Sequence, residues 1–203
     1  MPDTPSLWLQ PVTLEGRHVR LAPLRGDHVP ALREATRDGE LWKLWYTSAP
    51  SPETAEDYVA TALAEREAGA ALPFVVVDAV GDIVGSTRYC HADAKNRRLE
   101  IGYTWYAARA QRTGLNTEAK RLLLQHAFET LDCIAVEFRT HWFNQRSRAA
   151  IARLGAKQDG VLRSHQIMPD GSVRDTVVFS IIACEWPAVD RHLRFLGERG
   201  GSP

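Results

Sequence analysis

The sequence predicts a mixed α/β fold in which helices cover both faces of a central sheet of about seven strands. Three observations support this prediction. Extended segments with alternating apolar residues recur along the chain, and segments with helical periodicity separate them. The order strand, helix, strand over residues 99–140 predicts one parallel βαβ unit with a right-handed crossover. With 203 residues and 44% hydrophobic composition, the chain is long enough for one large domain with a sizeable core.

The first half of the chain begins with an irregular lead-in at residues 1–13, which contains three prolines and few periodic apolar residues. Asp27 is expected to cap the first helix, and Ser51-Pro-Glu-Thr is a helix-start pattern with proline at the first position. Gly81-Asp82 indicates a tight hairpin turn. The predicted elements are a strand at 18–24, a helix at 27–36, a helix from Ser51 to about Gly69, and strands at 74–78 and 83–90.

The second half contains the most regular helix of the chain, which opens near Gly114 and carries polar residues from Glu118 to Asp132 at spacings of three and four. Side chains of the preceding strand should alternate, with Glu100, Gly102 and Thr104 on one face. The other predicted elements are strands at 99–106, 134–140, 161–167 and 176–183, and helices at 144–155 and 185–196. A frayed tail is expected at 197–203.

The junction between strand 99–106 and the regular helix is a candidate anion site, which we call the cradle. Its residues are Gln111, Arg112, Thr113, Gly114, Leu115 and Asn116. Gly114 can adopt backbone angles closed to other residues, and the first amide N–H groups of a helix have no partner within it. Together with the helix dipole and the charge of Arg112, these groups suit a phosphate or pyrophosphate. The alternative is an ordinary strand-turn-helix junction that contains one glycine.

The cradle also resembles the pyrophosphate-binding motif Gln/Arg-x-x-Gly-x-Gly/Ala of the GNAT N-acetyltransferase superfamily. Gln111 and Gly114 occupy the first two positions, and Asn116 departs from the third. The segments 100–105, 144–156 and 159–163 are similar, in the same order, to the branch that contains the ribosomal-protein alanine N-acetyltransferases. The resemblance spans residues 14–187. It implies a GNAT-like fold over one domain at 1–203, with acetyl-CoA as acyl donor and a primary amine as acceptor.

A ligand of such a sheet is expected at the carboxyl ends of the parallel strands, near Trp105, Tyr106, Thr140 and His141. This location coincides with the cofactor site that the resemblance implies. Acetyl transfer to an amine needs a neutral amine, a donor to the oxyanion and a proton for the departing thiolate. The oxyanion donor would be a backbone N–H of residues 104–106, which no side-chain pattern can indicate.

Glu100 is the first candidate for the general base, because GNAT enzymes often carry a base on the corresponding strand. In the alternative reading, Glu100 only pairs with a sheet neighbour such as Arg88 or Arg139. His141 and His165 are further candidates, since unperturbed histidine titrates near neutral pH.

The resemblance assigns Asn144 and Ser147 to the region of the pantetheine and thiol, where they would assist the leaving group. Both residues also have a helix-capping explanation that needs no ligand. The aromatic residues Trp42, Trp45 and Tyr46 either pack locally or line the acceptor pocket, where an aromatic face can hold an amine.

Composition narrows the partners. Twenty-five basic residues cancel 25 acidic ones, which disfavours nucleic acid and a membrane surface. Cys90, Cys133 and Cys184 lack metal-ligand spacing, so reduced core thiols are expected and no metal. No export signal or apolar run of about 18 residues is present, so we expect a cytoplasmic protein. Its expected partners are acyl-CoA and an amine acceptor, either a peptide or a small molecule, and a homodimer stays open.

One other class of function fits the same features, a non-catalytic CoA-binding or protein-interaction module, because function depends on the site and not on the architecture. Phosphoryl transfer does not fit, because the cradle lacks the lysine of a Walker loop and the chain lacks a glycine-rich kinase loop.

Overall fold

The computed structural model describes residues 8–199, and the predictions made for residues 1–7 and 200–203 lie outside it. One eight-stranded sheet has the order β1-β2-β3-β4-β5-β6-β8-β7. Its strands are β1 (Leu14–Glu15), β2 (Val19–Pro23), β3 (Leu72–Asp78), β4 (Ile83–Asp93), β5 (Arg98–Tyr106), β6 (Ala135–His141), β7 (Lys157–Ile167) and β8 (Val173–Ile182). Within residues 8–199, β5 and β6 form the one parallel pair of neighbours.

Within residues 8–199, five α-helices pack around the sheet. They are α1 (Val29–Arg37), α2 (Ala55–Glu67), α3 (Leu115–Gln125), α4 (Gln145–Arg153) and α5 (Trp186–Arg199). Helices α1 and α2 pack on each other and on β4 and β3, whereas α3 packs on α5 and β2, and α4 packs on β6 and β8. In β3, all residues from Leu72 to Val77 are buried, because helices cover both faces of the sheet. The predicted mixed α/β fold and the βαβ unit β5-α3-β6 are confirmed.

Four predictions about local structure are corrected. The sheet has an extra strand because the two-residue β1 pairs with β2, and two residues are too few to show alternation. Asp27 does not cap α1, since its carboxylate pairs with Arg25 at 2.8 Å. Helix α5 continues to Arg199, through residues that were expected to fray. The three cysteines are free, but Cys184 is exposed and not in the core. No helix within residues 8–199 is long and apolar enough to cross a bilayer.

Candidate active site

The parallel strands β5 and β6 pair over a short distance and then separate. Residues 98–100 of β5 lie opposite residues 135–137 of β6. Beyond this point β5 continues to Tyr106 and β6 to His141, and the two strands no longer pair with each other. A cavity of about 660 Å³ occupies the gap. Residues from both strands line it, as do the cradle, the start of α4 and the segment that follows α1. The cavity therefore lies at the carboxyl ends of the parallel strands, where the sequence predicted a ligand.

A β-bulge in β5 contributes to this separation. Ser86 of β4 pairs with Trp105 and Arg88 pairs with Gly102, so β5 has one extra residue between these pairs. Tyr103 in the bulge has a positive φ of 51°. The predicted alternation along β5 therefore fails after Gly102. Beyond residue 100, the edge of β5 that faces β6 has no strand partner, so backbone N–H groups of residues 104–106 stay candidates for the oxyanion donor.

The cradle is held in place by side-chain hydrogen bonds to the backbone. Gln111 Nε2 donates to the Tyr106 carbonyl at 2.9 Å, and Thr113 Oγ1 donates to the Ala110 carbonyl at 2.8 Å. The first backbone bond of α3 runs from the Glu118 N–H to the Gly114 carbonyl. The N–H groups of residues 116 and 117 have no acceptor in the described part of the chain. The free amides that the sequence predicted at the start of this helix are therefore present, and anion binding by them stays a prediction.

The sequence predicted that Gly114 adopts backbone angles that are closed to other residues, and this prediction is wrong. Its φ of −65° and ψ of −14° are ordinary right-handed helical angles, and Arg112 is the left-handed residue of the cradle, with a φ of 60°. A Cβ atom at Gly114 would meet no atom within 4 Å. The fold does not require glycine here, and its contribution is open space at the helix N-terminus.

Two cavities meet at the cradle. Gln111, Arg112 and Asn116 line the cavity between β5 and β6. Thr113, Gly114 and Leu115 line a second cavity, of about 590 Å³, which also borders α5. The six predicted cradle residues are therefore divided between two cavities.

The start of α4 separates the two explanations proposed for Asn144 and Ser147. Asn144 Oδ1 accepts a hydrogen bond from the Ser147 backbone N–H at 3.0 Å, so Asn144 is the N-cap. The Ser147 hydroxyl has no partner among residues 8–199, and Ser147 is half-buried in the cavity lining. Capping thus accounts for Asn144, and it leaves the Ser147 side chain without a structural task.

Comparison with known proteins agrees with this geometry. A sequence profile described as "Acetyltransferase (GNAT) domain" matches residues 18–157. The chain belongs to the GNAT acetyltransferase family. A Bacillus subtilis (strain 168) protein named as a ribosomal N-acetyltransferase, YdaF, is 30% identical over 145 residues, which are 70% of this chain and 78% of that protein. The activity of the family is acetyl transfer.

Solved structures show the same fold. A GCN5-related N-acetyltransferase from Brucella melitensis has a TM-score of 0.82 and 29% identity, and the match covers 93% of this chain and 86% of that one. RimJ of Mycobacterium smegmatis, in complex with CoA-disulfide, has a TM-score of 0.78 and 24% identity, with 92% and 95% of the two chains covered. The latter likeness concerns the fold alone.

Glu100, the predicted base of this GNAT domain, lies behind the cavity wall. It is buried, and its Oε2 lies 2.9 Å from His91 Nδ1 and 3.4 Å from Arg139 Nε. The pairing with Arg139 is confirmed, and the pairing with Arg88 is wrong, since Arg88 binds Glu65 at 2.7 Å. A Cβ at Gly102, which lines the cavity, would lie 2.8 Å from Glu100 Oε1. Gly102 is therefore in contact with both the cavity and this carboxylate, and the role of Glu100 as the base stays a prediction.

Strand pairing brings a third group close to Glu100. Cys90 lies opposite Glu100 in the β4-β5 ladder, and Cys90, His91 and Glu100 place possible metal-ligand atoms within 4.8 Å of one another. The spacing of these residues in the sequence does not indicate this cluster. The Arg139 guanidinium beside Glu100 opposes binding of a cation there.

The two histidine alternatives differ in position and in their hydrogen bonds. His141 lines the cavity, and its Nδ1 accepts the Phe143 N–H at 3.1 Å, so the proton of the neutral ring is on Nε2. Burial and the charge of Arg174 lower the pKa of His141, which keeps the ring neutral. In this tautomer Nε2–H is a hydrogen-bond donor, and a role of His141 as the base stays a prediction. His165 is exposed, does not line the cavity, and has its Nδ1 3.1 Å from Thr176 Oγ1.

The aromatic residues that follow α1 are divided as well. Tyr46 lines the cavity, and the Trp45 ring packs edge-on against the His141 ring at 4.9 Å. Trp42 does not line the cavity, and Lys43 lies over its ring. The proposed acceptor wall is therefore formed by Tyr46 and supported by Trp45.

Sequence reasoning missed Lys120. This residue is buried, lines the cavity, and donates from Nζ to Thr104 Oγ1 at 2.6 Å. Burial lowers its pKa to about 7. The one available signal was its spacing from the buried residues Thr117 and Leu124 of the same helix, at three before and four after. Trp105 Nε1 and the Tyr106 hydroxyl are also buried in the lining without a hydrogen-bond partner in the described chain.

Proposed function

We propose that the protein transfers the acetyl group of acetyl-CoA to a primary amine, either a protein N-terminus or a small molecule. The observation that carries this proposal is the gap between β5 and β6. It runs from the cradle to the start of α4, so the cradle residues Gln111, Arg112 and Asn116 line the same cavity as Ser147. If a ribosomal-protein N-terminus is the acceptor, as the name of the Bacillus subtilis relative suggests, the reaction takes place in the cytoplasm.

The cradle fits the pyrophosphate of CoA. The amides of residues 116 and 117 are free, Gly114 leaves open space in front of them, and Arg112 adds positive charge. Asn116, which departs from the family motif, contributes its backbone N–H whatever its side chain. Trp105 Nε1 and the Tyr106 hydroxyl are unpartnered polar atoms in the adjoining wall, and they can hydrogen-bond to the amide groups of a pantetheine chain.

Acetyl transfer needs no reactant besides acetyl-CoA and the amine. When bound, acetyl-CoA supplies the activated acetyl group and a thiolate leaving group. A C–N bond forms as the C–S bond breaks, the amine nitrogen loses a proton and the sulfur gains one. Ser147 is the proposed proton donor to the sulfur, because its hydroxyl faces the cavity without a partner. Asn144 contributes by fixing the start of α4.

Glu100 is the proposed base, acting through water. Its carboxylate lies next to Gly102, which lines the cavity, so a water molecule would have to relay the proton between an amine in the cavity and Glu100. Its contacts with His91 and Arg139 hold the carboxylate in place.

The test is release of free thiol from acetyl-CoA by the purified protein, with a panel of amines and N-terminal peptides. We expect thiol release that depends on the acceptor, and an acetylated product of the corresponding mass. Tight binding of acetyl-CoA without acceptor-dependent thiol release across the panel would favour the non-catalytic module.

A further inference from the structure

The cavity has two faces with different chemistry. Helix α3 closes one face, where Lys120 Nζ lies 6.0 Å from the Phe138 ring. Side chains alternate along β6, so His141 projects to the opposite face. His141 pairs with Thr176 of β8, and Arg174, two residues along that strand, shares this face. We call this side, which the segment 41–49 covers, the acceptor face, because the cradle that would hold the donor is on the α3 side.

The charge along the cavity is positive. Among the described residues, five basic side chains and no carboxylate line it. The five are Arg112, Lys120, Arg139, Arg146 and Arg174. Arg112 belongs to the cradle and Arg146 to the start of α4, where an anionic donor is expected, and Lys120 belongs to the α3 side. The excess charge of the acceptor face therefore depends on Arg139 and Arg174.

Among the described residues, the ion pairs near the acceptor face do not include Arg174. Arg139 pairs with Glu137 at 2.9 Å and with Glu100 at 3.4 Å, and Glu137 also pairs with Arg98. Arg174 forms no ion pair within residues 8–199. Its hydrogen bond there runs from Nε to Thr176 Oγ1 at 3.0 Å, so both Nη groups are free.

A half-buried guanidinium without a carboxylate has an energetic cost. Burial lowers the pKa of Arg174, which is the effect of water lost around a charge that is not fully compensated. A ligand carboxylate would remove this cost, because a guanidinium binds a carboxylate through two parallel N–H···O bonds. A neutral ligand could not remove this cost, because it brings no negative charge to the guanidinium.

His141 supplies a second donor on the same face. Its Nε2–H is buried, has no partner in the described chain, and belongs to the cavity lining. Thr176, whose hydroxyl accepts the Arg174 Nε–H, lies opposite His141 in the β6-β8 ladder, so the two side chains are close. A guanidinium and a neutral N–H donor side by side are suited to the oxygens of one carboxylate.

We propose that the acceptor carries a carboxylate close to its amine, and that Arg174 and the His141 Nε2–H bind this carboxylate. The proposal rests on acetyl transfer as the function. Two sources offer the same group, the α-carboxylate of a free amino acid and the acidic side chain of a peptide whose N-terminus is acetylated. Both place the amine beside a positive surface that favours its neutral, nucleophilic form.

The test compares matched acceptors with acetyl-CoA by kcat/KM for thiol release. Alanine against alaninamide tests the α-carboxylate, and the peptide amides Ala-Asp-Gly and Ala-Asn-Gly test the acidic side chain. In at least one pair, the carboxylate compound should be better by about tenfold or more, the value of one hydrogen-bonded charge pair. Arg174→Gln should bring that ratio close to one while kcat/KM for the neutral compound changes little. Arg174→Lys should keep part of the preference.

Arg163→Gln is the matched control. Arg163 belongs to the same hairpin, its side chain is 80% exposed, and it pairs with Asp175 outside the cavity. This variant should keep the wild-type ratio. Circular dichroism and thermal melting confirm that each variant is folded. Ratios near one in both pairs for the wild type, or a preference that survives Arg174→Gln, would overturn the proposal.

Failure of acetyl transfer itself gives a different result. In that case no acceptor releases thiol although acetyl-CoA binds. Calorimetry of the N-acetylated forms of the four compounds, with CoA-saturated protein, then decides the carboxylate site. Tighter binding of a carboxylate form, lost in Arg174→Gln, supports the site, and equal binding within both pairs rules it out.

Discussion

Replacing Lys120 with methionine should stabilise the protein at neutral pH. Lys120 is 6% exposed and forms no ion pair with a carboxylate in the described chain. The hydroxyls of Thr87 and Thr104, which accept its hydrogen bonds, lie 2.7 Å apart and can bond to each other in the variant. Lys120→Met therefore removes a buried charge without leaving a buried polar atom unpaired, and it keeps the length of the side chain.

The magnitude follows from the pKa of Lys120, which burial lowers from 10.5 to about 7. The unfolded chain therefore binds more protons than the folded one between about pH 7 and 10.5, and the stability of the wild type rises with pH across this window. Linkage then gives a cost of burying Lys120 of about 4 kcal/mol at pH 7, which falls to about 1 kcal/mol at pH 9.5. The advantage of Lys120→Met should shrink by about 3 kcal/mol between these two values.

The assay is urea unfolding of both proteins at pH 7 and at pH 9.5, with the difference in unfolding free energy as the measured quantity. Other groups that titrate in this range cancel in the difference. Lys95→Met, at an exposed turn, is the control and should show no such pH dependence. A Lys120→Met advantage that is the same at both pH values would refute the buried, deprotonating lysine.

Three further predictions concern the proposed machinery. Gly114→Val should lower CoA affinity, measured by calorimetry, at least about tenfold, because the added side chain would project where phosphate would bind. Its melting temperature should be unchanged, since a Cβ at this position meets no atom of the protein within 4 Å. Equal affinities in this variant and in the control Gln125→Ala would remove the cradle from the mechanism. Ser147→Ala should melt like the wild type, since its hydroxyl has no partner in the described chain, and turn over about 100-fold slower or worse; unchanged turnover would eliminate it as proton donor. Glu100→Gln should slow turnover without weakening acetyl-CoA binding, and the deficit should shrink as pH rises. A pH-independent deficit with a lower melting temperature would instead indicate a purely structural pairing with Arg139.

Local sequence patterns were sufficient to predict much of the fold of this protein. The strand-helix-strand order around α3, the free amides at the start of this helix and the cap at Asn144 were all predicted correctly. Each depends on residues a few positions apart, such as an apolar period, a run of free amides or an Asn three residues before the N–H that it accepts. The location of the cavity also followed, because parallel strands place their carboxyl ends at one edge of a sheet.

The chemistry inside the cavity was decided by residues distant in sequence. The bulge at Tyr103 exists only in the register between β5 and β4, and the neighbours of Glu100 come from β4 and β6. In the sequence, Lys120 resembles an ordinary surface lysine. In the structure, Thr87 of β4 and Thr104 of β5 accept its hydrogen bonds. Arg174 faces His141 because β8 pairs with β6. Charge, burial and protonation depend on what surrounds a group within a few ångströms, and the packing of separate strands and helices determines those surroundings.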